Sequence, residues 1–373
     1  MNAAELFALV RDYHALGNHR TGTAVDSQTL EWFSSELSRH TSDVSLSEYE
    51  FPFYNARCEV RIDSVPVTSI ARYYSGCGAI RTSSPVTSSV YATGDGDELR
   101  TTFSNLSIQA ELEGARAAVL ATRCATDSLC AINERPRLDG NLPSVLVAGK
   151  HARELAEHRV DLDFDARIEI RQSSNVVARL GSRVGAPVVV TTPLSGWFGC
   201  AGERGTGIAI LLDLIEPLAE IAPLIIVGAS GHELDYFGAW QHATKFDTTP
   251  RAVLHLGSSI ATSARIPSAG HVSLSPDIQI TTNLTGERVN DVRDVAAELG
   301  TSLVVPVSAR EPHQWVGESS CWARFGCSML SVAGYHPLFH TPEDTPERAT
   351  TPALLENVRD AVLRMAQTLI MDK

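Results

Sequence analysis

Between Pro187 and Gly238 the sequence brings together side chains able to do chemistry. Ser195, Trp197, Cys200, Glu203 and Arg204 crowd one turn-rich stretch, and His232 and Glu233 form an adjacent pair beyond it. Histidine is the side chain best suited to proton transfer near neutral pH, which makes His232 a candidate acid or base. Ser195, His232 and a glutamate together would supply a nucleophile, a base and an orienting group. Adjacent residues on an extended segment point apart, so Glu203 is a better orienting carboxylate for His232 than Glu233. The local sequence Gly228-Ala-Ser-Gly-His lacks the G-x-S-x-G nucleophile pattern. Cys200 is an alternative nucleophile, with an unreactive buried thiol as the plainer reading.

The elements around these residues are legible from periodicity. Pro187–Thr192 and Leu224–Val227 are apolar runs, and Ile208, Leu211, Leu212 and Ile215 are spaced along one helical face between them. Strand, loop, helix, strand, loop is a βαβ unit, and both polar loops follow strand C-termini. Ligands bind at those ends in open parallel sheets. Further strands are expected at Ala252–Leu256, Leu303–Val307 and Met329–Ala333, and helices at residues 3–16, 289–299 and after Thr351-Pro352. Ser27 is expected to cap the second helix. The alternation implies a mostly parallel sheet with helices on both faces. From about Glu48 to Gln172 short β-type runs replace this texture. The expected organisation is an α/β domain from residues 1–47 and 173–373, with a β-rich insertion at 48–172.

Bulk properties narrow the function. A net charge of −13 over 373 residues offers no basic face for nucleic acid or anionic membrane. The first residues do not read as a signal peptide, so none is expected, and no run approaches the length of a membrane span. Seven cysteines without paired short spacings fit free thiols in a reducing compartment, so a cytoplasmic protein is expected.

The C-terminal half resembles the co-catalytic zinc aminopeptidases of peptidase family 28, which include glutaminyl cyclases and non-catalytic relatives. The likeness is carried by Asn175-Val-Val-Ala, by AGERGTG in place of A-D-D-N-x-S-G, and by Gly231-His-Glu-Leu in place of E-E-x-G. The strand SMLSVAG and the stretch from Tyr335 to Thr345 complete it. The resemblance implies that fold, and it implies that the β-rich segment is a protease-associated-like insertion. It also implies two zinc ions, but this chain departs from the ligand pattern. Pro193, Gly202 and Gly257 stand where the first histidine, the bridging aspartate and the second aspartate would be. His232 takes the place of the catalytic base, while Glu233 and His340 keep the ligands of one ion.

A two-zinc site is therefore not expected. Glu233 and His340 are candidate ligands for one zinc, with Glu203 able to reach back as a third. Ser195 occupies a former ligand position. His255 lies two residues before Gly257 and faces the same side by strand alternation. Trp197, Arg204 and His255 are candidate substrate contacts, and Asp344 can orient His340 or cap the next turn. Glu311–Ser320 reads as a lid. The chain is expected to be a peptidase-like hydrolase, or an amide-bond or cyclising enzyme, acting on a small molecule or short peptide. His232, Glu203 and Ser195 are its candidate catalytic residues. A non-catalytic binding or interaction protein on the same scaffold is the alternative.

Overall fold

Val188-Val189-Val190-Thr191-Thr192 is β-branched throughout and buried at every position, which suits a strand covered on both faces. The computed structural model describes residues 1–83, 85–91, 114–138, 142–181, 185–266, 269–281, 287–301, 304–308 and 310–371. The chain first lays down β1 (Val44–Ile62), β2 (Val65–Val67), β3 (Ser69–Ala71), β4 (Gly78–Thr82) and β5 (Val86–Tyr91). Next come β6 (Ala118–Arg123), β7 (Ser144–Ala148), the long β8 (Val160–Leu180) and β9 (Val188–Pro193). The remaining strands are β10 (Leu224–Ala229), β11 (Ala252–Leu256), β12 (Ser263–Ile266), β13 (Gly270–Ser273), β14 (Asp277–Thr281), β15 (Val304–Val307) and β16 (Ser328–Ala333).

The main sheet runs β15-β14-β16-β11-β9-β10-β8-β1-β2, with β4 also paired to β8. Its centre, β16-β11-β9-β10, is parallel, and β14 and β8 flank it antiparallel. Strand alternation sorts the core into two layers. Val188, Val190, Leu224, Ile226, Leu254 and Leu330 join the helices Ala3–Ala15, Ala24–Leu37, Thr206–Ala219 and Pro352–Ile370 on one face. Val189, Ile225, Val227, Val253 and Met329 meet Ala239, Ala243 and Trp322 on the other.

The helix after Thr351-Pro352 forms as its punctuation implies, with the Thr351 side chain accepting the Leu354 N–H. Its stripe of Leu355, Val358, Val362, Met365 and Leu369 is buried. Burying side chains of this kind contributes roughly 1.5–3 kcal/mol each. The second helix begins earlier than expected. Thr23, not Ser27, caps it, because the Thr23 hydroxyl is the one placed to accept the Asp26 N–H.

Residues 48 and 172 both lie in an antiparallel ribbon in which β1 pairs with β8 from Val44–Ala178 to Ile62–Val160. Beyond it a four-stranded sheet, β3-β7-β6-β5, packs with the far ends of β1 and β8 in a second core containing Tyr54, Tyr73, Phe164 and Trp197. Among the described residues no helix is long and apolar enough to cross a membrane.

Candidate functional site

Two loops that follow parallel strands meet at one edge of the sheet. β9 ends at Pro193, and the chain reaches a single π-helical turn, Ala201–Gly205, that opens the Thr206–Ala219 helix. Such wide turns recur at functional sites. Here the turn carries Glu203 and Arg204, both fully buried. Asp344 secures its start, with Oδ1 accepting the Gly202 N–H at 2.7 Å and Oδ2 the Glu203 N–H at 3.0 Å. The second loop follows β10. Gly231 has φ +84°, one 3-10 turn spans His232–Leu234, and Asp235 and Tyr236 are left-handed at φ 60° and 64°. His340 is left-handed as well, at φ 58°. A non-glycine residue there costs roughly 1–2 kcal/mol, so surrounding contacts must hold these backbones in place.

The charges are closely organised. Arg204 Nη2 donates to Glu203 Oε1 at 2.5 Å, and its Nε donates to the Ser195 carbonyl at 3.1 Å. Burial pushes the Glu203 carboxyl up, but the Arg204 guanidinium leads the interactions that outweigh it and hold the group well below the usual carboxylate range. His340 Nε2 lies 3.3 Å from Glu203 Oε1, and His232 Nε2 lies 4.0 Å from it. Both rings are anchored through Nδ1. That of His340 faces the Ala131 carbonyl at 3.2 Å, and that of His232 faces Glu318 Oε1 at 2.6 Å. A carbonyl or carboxylate oxygen can only accept, so Nδ1 of each ring carries a hydrogen, and in a neutral His232 the Nε2 lone pair then faces Glu203. Burial and Arg204 lower the His232 pKa against the pull of Glu318 and Glu203, which favours that neutral form.

Glu203, His232 and His340 thus converge, with ligand atoms all within 4.8 Å of one another. Two ligands about 2.0–2.1 Å from a tetrahedral zinc lie about 3.4 Å apart. The 3.3 Å between His340 and Glu203 suits such an ion, and His232 sits slightly further off. Glu203 Oε2 is buried and makes no hydrogen bond among the described residues, so this carboxylate has an unused lone pair.

Several expected roles change. Glu233 is not in the converging group. Its Oε1 accepts the Thr21 N–H at 2.6 Å and its Oε2 accepts the Ser195 hydroxyl at 2.9 Å. Burial raises its pKa, partly offset by those bonds. Ser195 does not meet the His232 ring; besides donating to Glu233, it accepts the His232 backbone N–H at 2.9 Å. Glu318, not Glu203, makes the hydrogen bond that orients His232. Cys200 is fully buried beside Tyr13 at 3.3 Å, and burial raises its thiol pKa far above neutrality.

Of the candidate substrate contacts, Arg204 and His255 are internal, 0% and 1% exposed. His255 Nδ1 meets Ser331 Oγ at 2.8 Å, and its Nε2 lies 3.7 Å from Glu318 Oε2. Trp197 donates to Asn133 Oδ1 at 2.9 Å and walls a cavity of about 320 Å³ with Asn18, Arg20, Arg57, Tyr73 and Phe198. Glu203, His232 and His340 do not line that cavity.

The positions that lack ligand atoms are also filled in. A Cβ on Gly202 would come within 2.6 Å of Ala349 Cβ and 2.9 Å of Asp344 Oδ1. A Cβ on Gly257 would come within 2.8 Å of His255 Cε1. The site is roofed by Cys130–Arg135. Ala131 N–H donates to the His340 carbonyl at 2.9 Å, Glu134 N–H to the Glu233 carbonyl at 3.0 Å, and Arg135 Nε to Asp235 Oδ2 at 2.7 Å. Glu134 is itself held by a buried ion pair with Arg72. Neither this roof nor Glu318 is signalled by motif or spacing, although Glu318 lies in the segment read as a lid.

No protein-family model and no curated protein matches the sequence. Solved structures do. A zinc aminopeptidase from Bacillus subtilis is similar at 14% identity, covering 98% of this chain and 94% of that one, with a TM-score of 0.73. A peptidase M28 precursor from Shewanella amazonensis SB2B is similar at 15% identity, covering 99% and 94%, with a TM-score of 0.72. A glutaminyl cyclase from Tannerella forsythia is similar at 12% identity, covering 100% and 99%, with a TM-score of 0.52. These likenesses establish the fold: a mixed α/β structure of the zinc aminopeptidase type.

Proposed function

We propose that the chain is a hydrolase of small amides or short peptides that works with one zinc-type ion held by Glu203, His232 and His340. The observation that carries this reading is the convergence of two imidazole Nε2 atoms and one carboxylate, all buried, with both rings anchored through Nδ1. Three lone-pair donors facing one another call for a cation among them. When bound, such an ion supplies a Lewis acid and a water of lowered pKa. Arg204 keeps Glu203 ionised by donating to Oε1, and Oε2 makes no hydrogen bond among the described residues. One ion is proposed rather than two, because Pro193, Gly202 and Gly257 offer no ligand atom and both glycines are tightly packed.

The β-rich segment at 48–172 is proposed to act as an insertion that limits the substrate to small size, since Cys130–Arg135 is bonded over both loops. Trp197 is the proposed substrate contact among the three candidates, because it lies in the loop after β9 and is bonded to Asn133 of the segment over the site. Seven free thiols support a reducing, cytoplasmic setting.

One observation favours a second reading. Arg204 already neutralises Glu203, so His232 could act without metal as the acid or base. Zinc loading followed by elemental analysis decides between them. One ion per chain, lost in Glu203→Gln and His340→Ala, is the expected result, and two tightly held ions would overturn the proposal. Turnover of a dipeptide, aminoacyl-amide or cyclic-amide panel without metal would favour His232 acting alone. Neither metal nor turnover would favour the binding-protein alternative.

A further inference from the structure

Glu318 enters the site from a segment that is pinned along its length. Val316 N–H donates to Gln279 Oε1 at 2.8 Å, Gln279 Nε2 donates to the Gln314 carbonyl at 2.9 Å, and the Trp315 indole donates to the Ser308 carbonyl at 3.0 Å. Gly317, at φ +59°, turns the chain so that the next side chain is only 2% exposed. A carboxylate so buried needs partners. Among the described residues it hydrogen-bonds His232 Nδ1 at 2.6 Å and lies 3.7 Å from His255 Nε2. His255 is fixed in turn by Ser331 at 2.8 Å, giving a chain Ser331–His255–Glu318–His232.

We propose that Glu318 is a positioning residue: its carboxylate holds the hydrogen of His232 on Nδ1 and so aims an unprotonated Nε2 at Glu203 and His340. This rests on the reading of that cluster as the working site, and it holds whether Nε2 is a ligand or a base. Without the acceptor, a neutral His232 can place its hydrogen on either nitrogen. The Nε2–H form would put a hydrogen where a lone pair is required. Removing an outer partner of a ligating histidine typically weakens metal binding about 10–100-fold.

The test is Glu318→Met, which keeps length and removes the acceptor. Zinc affinity is read by chelator competition. The His232 tautomer is read in the zinc-free protein by long-range proton–nitrogen spectra of histidine-labelled samples, assigned with His232→Gln. The wild type should show hydrogen on Nδ1. The variant should lose that preference and bind zinc about 10–100-fold more weakly. An unchanged tautomer, or unchanged affinity in a protein that binds zinc, overturns the assignment. If the wild type binds no zinc, the one-ion reading falls, and Glu318 is then judged on the tautomer alone, retention of Nδ1–H in the variant overturning it. Should Glu318→Met not fold, the wild-type spectrum still decides, because hydrogen on Nε2 of His232 refutes the proposal.

Discussion

Arg204 and Glu203 are neighbours in sequence, both without exposed surface, and joined by one hydrogen bond of 2.5 Å. Each charge is tolerable in the core because the other is there. Breaking a buried pair by removing one partner typically costs about 3–5 kcal/mol, since the remaining charge is left uncompensated. Arg204→Leu should therefore lower the unfolding free energy by that order in urea denaturation, and adding Glu203→Gln should recover part of the loss. Zinc should raise the melting temperature of Arg204→Leu more than that of the wild type, because an ion held by Glu203, His232 and His340 would supply the missing positive charge. An equal rise in both would count against an ion at Glu203. Glu203 and His232 were recognisable from residue type and from loops placed after strand ends, and His340 through the family resemblance. Their mutual contacts, and the turning of Glu233 toward Ser195, were not, because a one-residue difference in a tight loop reverses which side chain faces the site. Glu318 was hidden more deeply. It lies 86 residues from His232 along the chain, and only the tertiary fold joins them.

At the scale of elements, the π-helical turn Ala201–Gly205 depends on a glycine that has no room to be anything else. The nearest atoms to a Cβ at Gly202 belong to Ala349, Asp344 and His336, at 2.6, 2.9 and 3.1 Å. Asp344 is the residue that accepts the first backbone N–H groups of the turn, so displacing it loosens the element that carries Glu203. Overpacking of this kind costs about 1–3 kcal/mol. Gly202→Ala should lose that much stability in denaturant titration, and zinc affinity should fall with it. Gly202→Asp, which restores a ligand type, should not raise the metal content above one ion. Full stability in Gly202→Ala would show that Asp344 and Ala349 can move aside freely. The strands and long helices were legible because their apolar periods run over many residues. The wide turn was not, since nothing in AGERGTG distinguishes it from the start of an ordinary α-helix.

For the whole molecule, Asp26 ties together parts distant in sequence. Its Oδ2 accepts from the Gly22 N–H at 2.8 Å and from Ser173 on β8 at 2.7 Å, and its Oδ1 accepts from Ser230 after β10 at 2.9 Å. The sheet, its parallel centre and its helical layers could be read from the sequence because hydrophobic pattern dictates layers. Polar ties such as this one could not, since an aspartate near a helix start reads as an ordinary capping residue. The tie has a measurable consequence. Burial raises the Asp26 pKa from 3.8 to about 6, although its hydrogen bonds pull the other way. A group whose folded pKa is raised binds its proton more tightly in the folded state. Between about pH 4 and 6 the unfolded chain loses that proton first, so this group's contribution to stability falls as pH rises and levels off above pH 6. The shift corresponds to roughly 3 kcal/mol across the window. Buried Glu233 adds a change of the same sign, whereas Glu203 and Glu318, held low, act oppositely. Asp26→Asn isolates the Asp26 part. The variant should be less stable than wild type at pH 4, where the lost acceptor geometry dominates, and the gap should narrow by about 3 kcal/mol by pH 7. Unfolding curves measured at pH 4, 5, 6 and 7 read this directly, and a constant gap would show that Asp26 titrates as an ordinary exposed carboxylate.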